Sequence, residues 1–267
     1  MADILRIEHI SKTFEGGSPL FKRAGTQALK DISFTVREAE SFALTGPSGC
    51  GKSTLAKIIL GLEKADSGKI FIDDKDISLL KKRPLRALRA QVQIVFQDPY
   101  SSLDPRMTVK DILEEPFLIH KIPCGKNKIN ELLDTVGLPS TAREKYPYEF
   151  SGGQRQRIAV ARALALNPRV LIADEAVSAL DVSIQAQILN MLKQIKETRN
   201  LTLIFISHDL ALCKFLCTRA AVLDGGSLAE LAPVRELFSN PKSEQTKRLL
   251  AAAAPLTLGK FKSAGAV

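Results

Sequence analysis

The 267-residue sequence contains no tryptophan, no basic tail, no internal repeat and no apolar run long enough to span a bilayer. Its longest apolar stretches, "LTLIFI" and "AAAAPLTL", fall well short of the roughly 20 residues a membrane helix needs. The opening segment "MADILRIEHISKTF" lacks the apolar core of a signal peptide. The chain is therefore not expected to cross a membrane by itself. Cysteine is sparse: Cys50, Cys124, Cys213 and Cys217 form no paired framework. Cys213 and Cys217 lie one helical turn apart, and a metal site would need two further soft ligands nearby. They are read as thiols on a buried helix face, in the reducing setting of the cytosol.

Charge is plentiful but diffuse. With 38 Lys and Arg against 29 Asp and Glu, the formal net charge is +9. Such a balance invites a nucleic-acid or membrane-surface reading. The basic residues are spread along the chain, however, with one small cluster at Lys81, Lys82, Arg83, Arg86 and Arg89. A solvated basic rim is the preferred reading. The apolar share of 45% and charged share of 25% are those of an ordinary soluble domain with a sizeable core.

Along the chain, β texture comes first. "ILRIEHI" alternates, and "DISFTV" and "SFALTG" are short strand-like runs. Residues 16–26 hold Gly, Ser and Pro and are predicted as a loop. "KSTLAKIILGL" predicts a helix with Leu55, Ile58, Ile59 and Leu62 on one face. "KIFIDD" and "VQIVFQ" are further strands, the second ending at Gln97. From Pro99 to about 157 the pattern predicts short helices, one opening with a cap-like Thr108. Another carries Ile129, Leu132, Leu133 and Val136 on one stripe and stops at Gly137. "RVLIA" and "LTLIFIS" are continuous apolar runs, as expected for buried parallel strands. Between them, "SIQAQILNMLKQIKE" is a helix with Ile184, Ile188, Leu189, Leu192 and Ile195 inward. A hairpin turns at Asp224–Gly226, and the last 25 or so residues predict a helix and a loose tail.

"GPSGCGKS", Gly46 to Ser53, satisfies G-x-x-x-x-G-K-[ST] after a strand and before a helix. Glycines let the backbone wrap phosphates, Lys52 reaches the outer ones, and the Ser53 hydroxyl can ligate Mg²⁺. "VLIADE" ends an apolar strand at Asp174 and Glu175. There Asp174 can hold Mg²⁺ through water, and Glu175 can take a proton from the attacking water. Carboxylates past a strand are often mere caps, and it is the phosphate loop that gives this pair its meaning. His208, in "FISHD", stands at a strand's C-terminal end, where α/β sites lie. His9 and His120 are read as ordinary backbone-bonded histidines. Gln97 is either a polar stop or a reach toward Mg²⁺ and the lytic water. Finally "FSGGQRQR", residues 150–157, puts a second helix-start anion site in the same chain.

The order GPSGCGKS, Gln97, SGGQ, VLIADE, SALD and His208 resembles the ATP-binding subunits of ABC transporters, over roughly residues 3–240. The resemblance implies an α/β fold: a P-loop NTPase core with a mainly parallel sheet, an N-terminal antiparallel β subdomain and an inserted helical subdomain at about 99–157. Residues 1–240 would be the ATP-binding domain and 241–267 a tail. It further implies that Phe14 stacks on adenine, where the bland alternative is a core phenylalanine. Gly46, Pro47, Ser48, Gly49, Cys50, Gly51, Lys52, Ser53 and Thr54 would bind the phosphates of ATP. Ser53, Gln97 and Asp174 would hold Mg²⁺, with Glu175 as general base and His208 as switch histidine. Gln97 would also open the loop that meets the membrane subunits. Ser178 to Asp181 would cross between two copies of the domain. Family members pair head to tail, so Ser151, Gly152, Gly153 and Gln154 would serve the partner's ATP. That answers why one domain carries two anion cradles.

"FQDPYSSLDPRMTV", "YPYEFSGGQRQR" and "SALDVSIQAQIL" resemble the peptide and nickel importer branch. Phe150, in place of the more general Leu, fits that branch. Ala176 stands where most members have Pro and blurs the solute, so nickel, metal-chelate or antimicrobial-peptide uptake stays as the alternative to oligopeptides and dipeptides. Ala39 replaces a usual Gly. The Cys-rich motif many members add at the C-terminus is not in this sequence, so no iron–sulfur cluster is expected. Implied partners are two membrane-spanning permease subunits, a second and paralogous ATP-binding subunit, and indirectly a solute-binding protein. The implied place is the cytoplasmic face of the bacterial membrane. Relatives that act on chromosomes or ribosomes carry long coiled coils, mismatch modules or two fused domains. None of these is visible, so no nucleic-acid partner is expected. A subunit that only gates is disfavoured by the intact Glu175 and His208.

Overall fold

A computed structural model describes residues 2–16, 23–80 and 82–257. The chain forms two compact units, Met1–Lys81 with Ile204–Val267, and Lys82–Leu203.

The first unit begins with two long antiparallel strands, β1 (Asp3–Gly16) and β2 (Arg23–Arg37). Phe14 pairs with Thr26 and Gly16 with Arg23. Both ends of the predicted 16–26 loop are therefore strand, and residues 17–22 lie outside the described residues. Gly25, one of the residues that suggested a loop, marks a close approach of strands: a Cβ there would lie 3.0 Å from Thr13 Cγ2 and 3.1 Å from Phe14 O. β3 (Ser41–Thr45) is buried along its length and leads through a glycine-rich turn into α1 (Lys52–Ile59). Leu55, Ile58 and Ile59 bury as expected, but Leu62 is 54% exposed. The helix ends at Ile59, so Leu62 falls off the helical stripe. β4 (Ser67–Ile72) pairs antiparallel with β1, and β5 (Lys75–Asp76) with β4, which completes a four-stranded sheet in the order β2-β1-β4-β5.

Between β2 and β3 the chain turns at Arg37–Glu40, where Glu40 N–H donates to Arg37 O at 3.2 Å. Ala39 takes φ +56° there, the left-handed position of a tight turn. The usual Gly is thus a backbone requirement that this sequence meets under strain. Ala39→Gly is expected to stabilise the chain by about 0.5–1 kcal/mol, the residue of a left-handed penalty of about 1–2 kcal/mol and glycine's entropic cost. Chemical denaturation of both forms measures it, and a less stable glycine variant would refute it.

The second unit opens with α2 (Lys82–Gln91). The basic residues Lys82, Arg83, Arg86 and Arg89, expected to form a solvated rim, lie on this helix, which was not expected from the sequence. β6 (Val92–Val95) pairs parallel with β7 (Val170–Asp174), with Val95 opposite Ala173. The strand stops two residues before the expected Gln97. The Asp98 carboxylate accepts the N–H groups of Tyr100 and Ser101 and starts α3 (Pro99–Ser102), which turns the chain out of the ladder. α4 (Val109–His120) begins with the expected Thr108 cap. Thr108 Oγ1 accepts Asp111 N–H at 3.2 Å, and Asp111 accepts Thr108 N–H at 3.1 Å. α5 (Lys128–Thr135) buries Ile129, Leu132 and Leu133, and Val136 just beyond it, and is followed by Gly137 at φ +69°. α6 (Gly152–Leu164) runs past residue 157 because Ile158 to Ala161, Ala163 and Leu164 are all buried. α7 (Val182–Arg199) buries Ile188, Leu189, Met191, Leu192 and Ile195, with Ile184 half-buried.

The chain re-enters the first unit within β8 (Thr202–Ser207), and α8 (Leu210–Leu216) follows. Cys213 and Cys217 are buried there, as expected, and burial pushes the Cys213 thiol up to about 12. β9 (Arg219–Asp224) pairs parallel with β3 and antiparallel with β10 (Ser227–Pro233). Gly225 and Gly226, at φ +51° and +86°, make the predicted hairpin turn. After α9 (Val234–Ser239) comes α10 (Glu244–Thr257). It is pinned by the buried Glu230, whose carboxylate accepts Lys242 N–H, Ser243 N–H and the Thr246 hydroxyl at 3.0, 2.9 and 2.6 Å. The helix expected near the C-terminus is α10, and residues 258–267 lie outside the described residues. No helix among the described residues is long and apolar enough to cross a membrane.

Candidate functional site

In the first unit, the glycine-rich turn is held from behind. A Cβ on Gly46 (φ +147°) would lie 2.3 Å from Leu223 O, and one on Gly51 (φ +106°) 2.4 Å from Ala28 O. Backbone from β9 and β2 therefore allows no side chain at either position. Gly49 has nothing within 4 Å of its added Cβ, and Ser48 and Gly49 are exposed, so the outer side of the loop is open. Pro47 is half-buried and Cys50 buried, and burial raises the Cys50 thiol above its ordinary range. Lys52 is 5% exposed. Its ammonium donates to Gly46 O and Pro47 O, both at 2.9 Å, and so spans the loop it belongs to. The first rung of α1 runs from Leu55 N–H to Gly51 O at 2.9 Å. The amides ahead of it carry the positive end of the helix dipole. Ser53 is exposed beside them and Thr54 half-buried.

Two more candidates lie in this unit. Phe14, on β1, is 42% exposed, which removes the core alternative. His208 is exposed just after β8. Its neighbour Asp209 caps α8 and takes a bond from Ala211 N–H at 2.8 Å. His9, expected to be backbone-bonded, instead has its Nδ1 2.7 Å from the Asp31 carboxylate on the neighbouring strand β2, and His120 sits at the end of α4. Burial and Arg86 lower the His120 pKa.

The second unit holds the remaining candidates. Asp174 ends β7 and is buried. Glu175 follows at φ +47°, a left-handed position that a β-strand cannot continue through. Its carbonyl accepts Ser178 N–H at 3.1 Å and the Ser178 hydroxyl at 2.9 Å. The "SALD" loop is thereby folded back on Glu175. Asp181 caps α7 through Ile184 N–H at 3.0 Å. The Gln185 amide donates to Val177 O and Leu180 O, each at 3.0 Å, and braces the loop from inside. Sequence reasoning missed Gln185, since a glutamine in a helix's first turn gives no signal of its own. Gln97 is exposed in the bend after β6.

"SGGQ" starts α6 as a capping box. Ser151 Oγ accepts Gln154 N–H at 3.3 Å, and Gln154 Oε1 accepts Ser151 N–H at 3.0 Å. A Cβ on Gly153 would lie 2.5 Å from Ile184 Cγ2, so this glycine lets α6 meet α7. At Gly152 the nearest atom, Leu180 Cδ2, is 3.5 Å away, an ordinary contact. Gly152 is therefore the cleaner position for probing the helix start. The two arginines that follow are also engaged. Arg155 donates to Phe150 O at 2.9 Å and lies 3.8 Å over the Tyr100 ring, and Arg157 donates to Val136 O at 2.7 Å.

Ser53, Gln97 and Asp174 each carry a side-chain oxygen, the donor type that a hard divalent cation takes.

Comparison with known proteins adds an independent line. Residues 29–178 match the family model described as ABC transporter. The chain is 44% identical over 254 residues to the oligopeptide transport ATP-binding protein OppF of Bacillus subtilis, across 93% of this chain and 82% of that one. It is also 44% identical to the oligopeptide transport ATP-binding protein AppF of the same organism, across 92% and 77% respectively. Among solved structures, a dimeric ATP-binding cassette in a post-hydrolysis state bound to ADP and Pi is similar over 86% of this chain and 99% of that chain. The identity is 29% and the TM-score 0.77.

Proposed function

Because the chain belongs to the ABC transporter family of ATP-binding proteins, we propose that it hydrolyses ATP to energise import of oligopeptides or dipeptides across a bacterial cytoplasmic membrane. The likeness to two oligopeptide transport ATP-binding proteins over more than nine-tenths of the chain carries the substrate class. The chain acts at the cytoplasmic face, bound to two permease subunits and paired with a second, paralogous ATP-binding subunit, while a solute-binding protein delivers the peptide.

In this reading Phe14 offers its exposed ring to adenine. The Gly46–Thr54 segment and the start of α1 hold the phosphates, with Lys52 reaching the outer ones. Ser53, Gln97 and Asp174 would hold Mg²⁺, which when bound offsets the charge on the terminal phosphates. Glu175 takes the proton of the attacking water as its oxygen bonds to the γ-phosphorus. The bond from that phosphorus to the β-phosphate oxygen breaks, and ADP leaves with that electron pair. His208 contacts the γ-phosphate, and Gln97 orients the water. Ser151, Gly152, Gly153 and Gln154 face the nucleotide of the other ATP-binding subunit, so ATP joins the two subunits and its loss releases them.

Uptake of labelled di- and oligopeptides by cells with and without this subunit tests the cargo. Deletion is expected to abolish peptide uptake, and re-expression to restore it. Intact peptide uptake with loss of nickel uptake would replace the peptide assignment by the metal one.

A further inference from the structure

The adenine platform has a back side. Lys12, two residues before Phe14 on β1, places its ammonium 5.2 Å from the centroid of the Phe14 ring, within cation–π range. That ammonium is fixed in place. It pairs with Glu63 at 2.9 Å and Asp66 at 3.3 Å, and its side chain is only 12% exposed.

Both acids are themselves anchored. Glu63 follows the C-terminal end of α1, where Leu62 N–H and Glu63 N–H both donate to Lys57 O. Asp66 donates its own N–H to Ser11 O at 2.9 Å, and its carboxylate accepts Thr13 N–H at 2.6 Å. The peptide units on either side of Lys12 are thus clamped by the turn that leaves the phosphate-loop helix. Burial works against the Lys12 charge, but the hydrogen bond from Glu63 outweighs it and raises the lysine's pKa. The partners Glu63 and Asp66 are both shifted down. All three groups keep their charges across the physiological range.

We propose that Lys12 is a positioning residue for nucleotide binding: it occupies one face of the Phe14 ring and so presents the other to the adenine base. A phenylalanine at 42% exposure is only partly held by packing, which leaves its χ angles less constrained than those of a core ring. The ammonium supplies that constraint, and it ties the ring to the far end of the helix whose near end holds the phosphates. The inference rests on Phe14 being the adenine platform.

Isothermal titration of the full-length chain with ATP and with inorganic tripolyphosphate, which has no base, tests it. Lys12→Met is expected to weaken ATP binding about three- to fivefold, the value of one exposed cation–π contact. Tripolyphosphate binding stays unchanged. Lys12→Arg, which can still lie over the ring, retains ATP affinity. In a Phe14→Ala background Lys12→Met adds no further loss. An equal loss for ATP and tripolyphosphate would show that Lys12 supports only the fold and would overturn the proposal. So would undiminished ATP affinity in Lys12→Met, or a loss that persists without Phe14. If Phe14→Ala by itself leaves ATP affinity intact, the platform reading fails, and the Lys12 proposal with it. If Phe14→Ala weakens ATP binding but Lys12→Met does not, only the Lys12 proposal falls.

Discussion

Glu175→Gln is expected to stop ATP turnover while leaving ATP binding in place. The amide keeps the size and shape of the carboxylate but has no basicity with which to take the proton of the attacking water. General-base catalysis contributes about 10²–10⁴-fold, so kcat of the assembled transporter should fall by about that factor with KM little changed. The local fold gives the substitution little room to act otherwise. The bonds that hold the following loop, from Ser178 N–H and Oγ, end on the Glu175 backbone carbonyl and survive the change. The φ of +47° at Glu175 is carried by its backbone, and Gln meets the same local cost. ATP that is bound but not cleaved should hold two ATP-binding subunits together, visible as an ATP-dependent dimer in size-exclusion chromatography. ATPase activity equal to that of the unaltered complex would remove Glu175 as the base.

Lys52→Ala should act one step earlier, on nucleotide affinity. The ammonium is almost fully buried and bridges Gly46 O and Pro47 O. Its loss removes a cation from the phosphates and also strips two loop carbonyls of their donor. Charge-assisted bonds of this kind are worth about 1.5–3 kcal/mol each. A loss of about 100-fold in ATP affinity is therefore expected, measured with a fluorescent nucleotide on the isolated chain. Lys52→Arg should not restore it, because a planar guanidinium cannot enter the small space between the two carbonyls. Thermal unfolding at the unaltered temperature would show that the fold is retained. Normal ATP binding by Lys52→Ala would refute the role given to the phosphate loop.

These two predictions were legible in the linear sequence because each motif is local. Eight consecutive residues make the phosphate loop, and four apolar residues followed by Asp-Glu make the carboxylate strand end. Most of the β strands and the helices α1, α4, α5 and α7 were legible for a related reason: apolar periodicity and caps act over a few residues. α2 was not, since its apolar positions Leu85, Ala87 and Leu88 are interleaved with the arginines that read as a solvated rim. The extent of β1 and β2 was also missed, because Gly25 has one cause in a turn and another in a close strand pair, and only the partner strand distinguishes them.

By itself, the sequence determined the family and the ATP chemistry and nominated the groups proposed to perform it, since these readings depend on residue types at short, fixed spacings. It could not determine why those residues hold their places. The Gly46 requirement comes from Leu223 O, the Gly51 requirement from Ala28 O and the Gly153 requirement from Ile184. Gln185 braces a loop through carbonyls five and eight residues away, and Lys12 is set by acids more than fifty residues downstream. Each of these is a contact between segments remote in the chain or folded back on themselves. Steric exclusion and hydrogen bonding act through space, so only the tertiary structure could decide them.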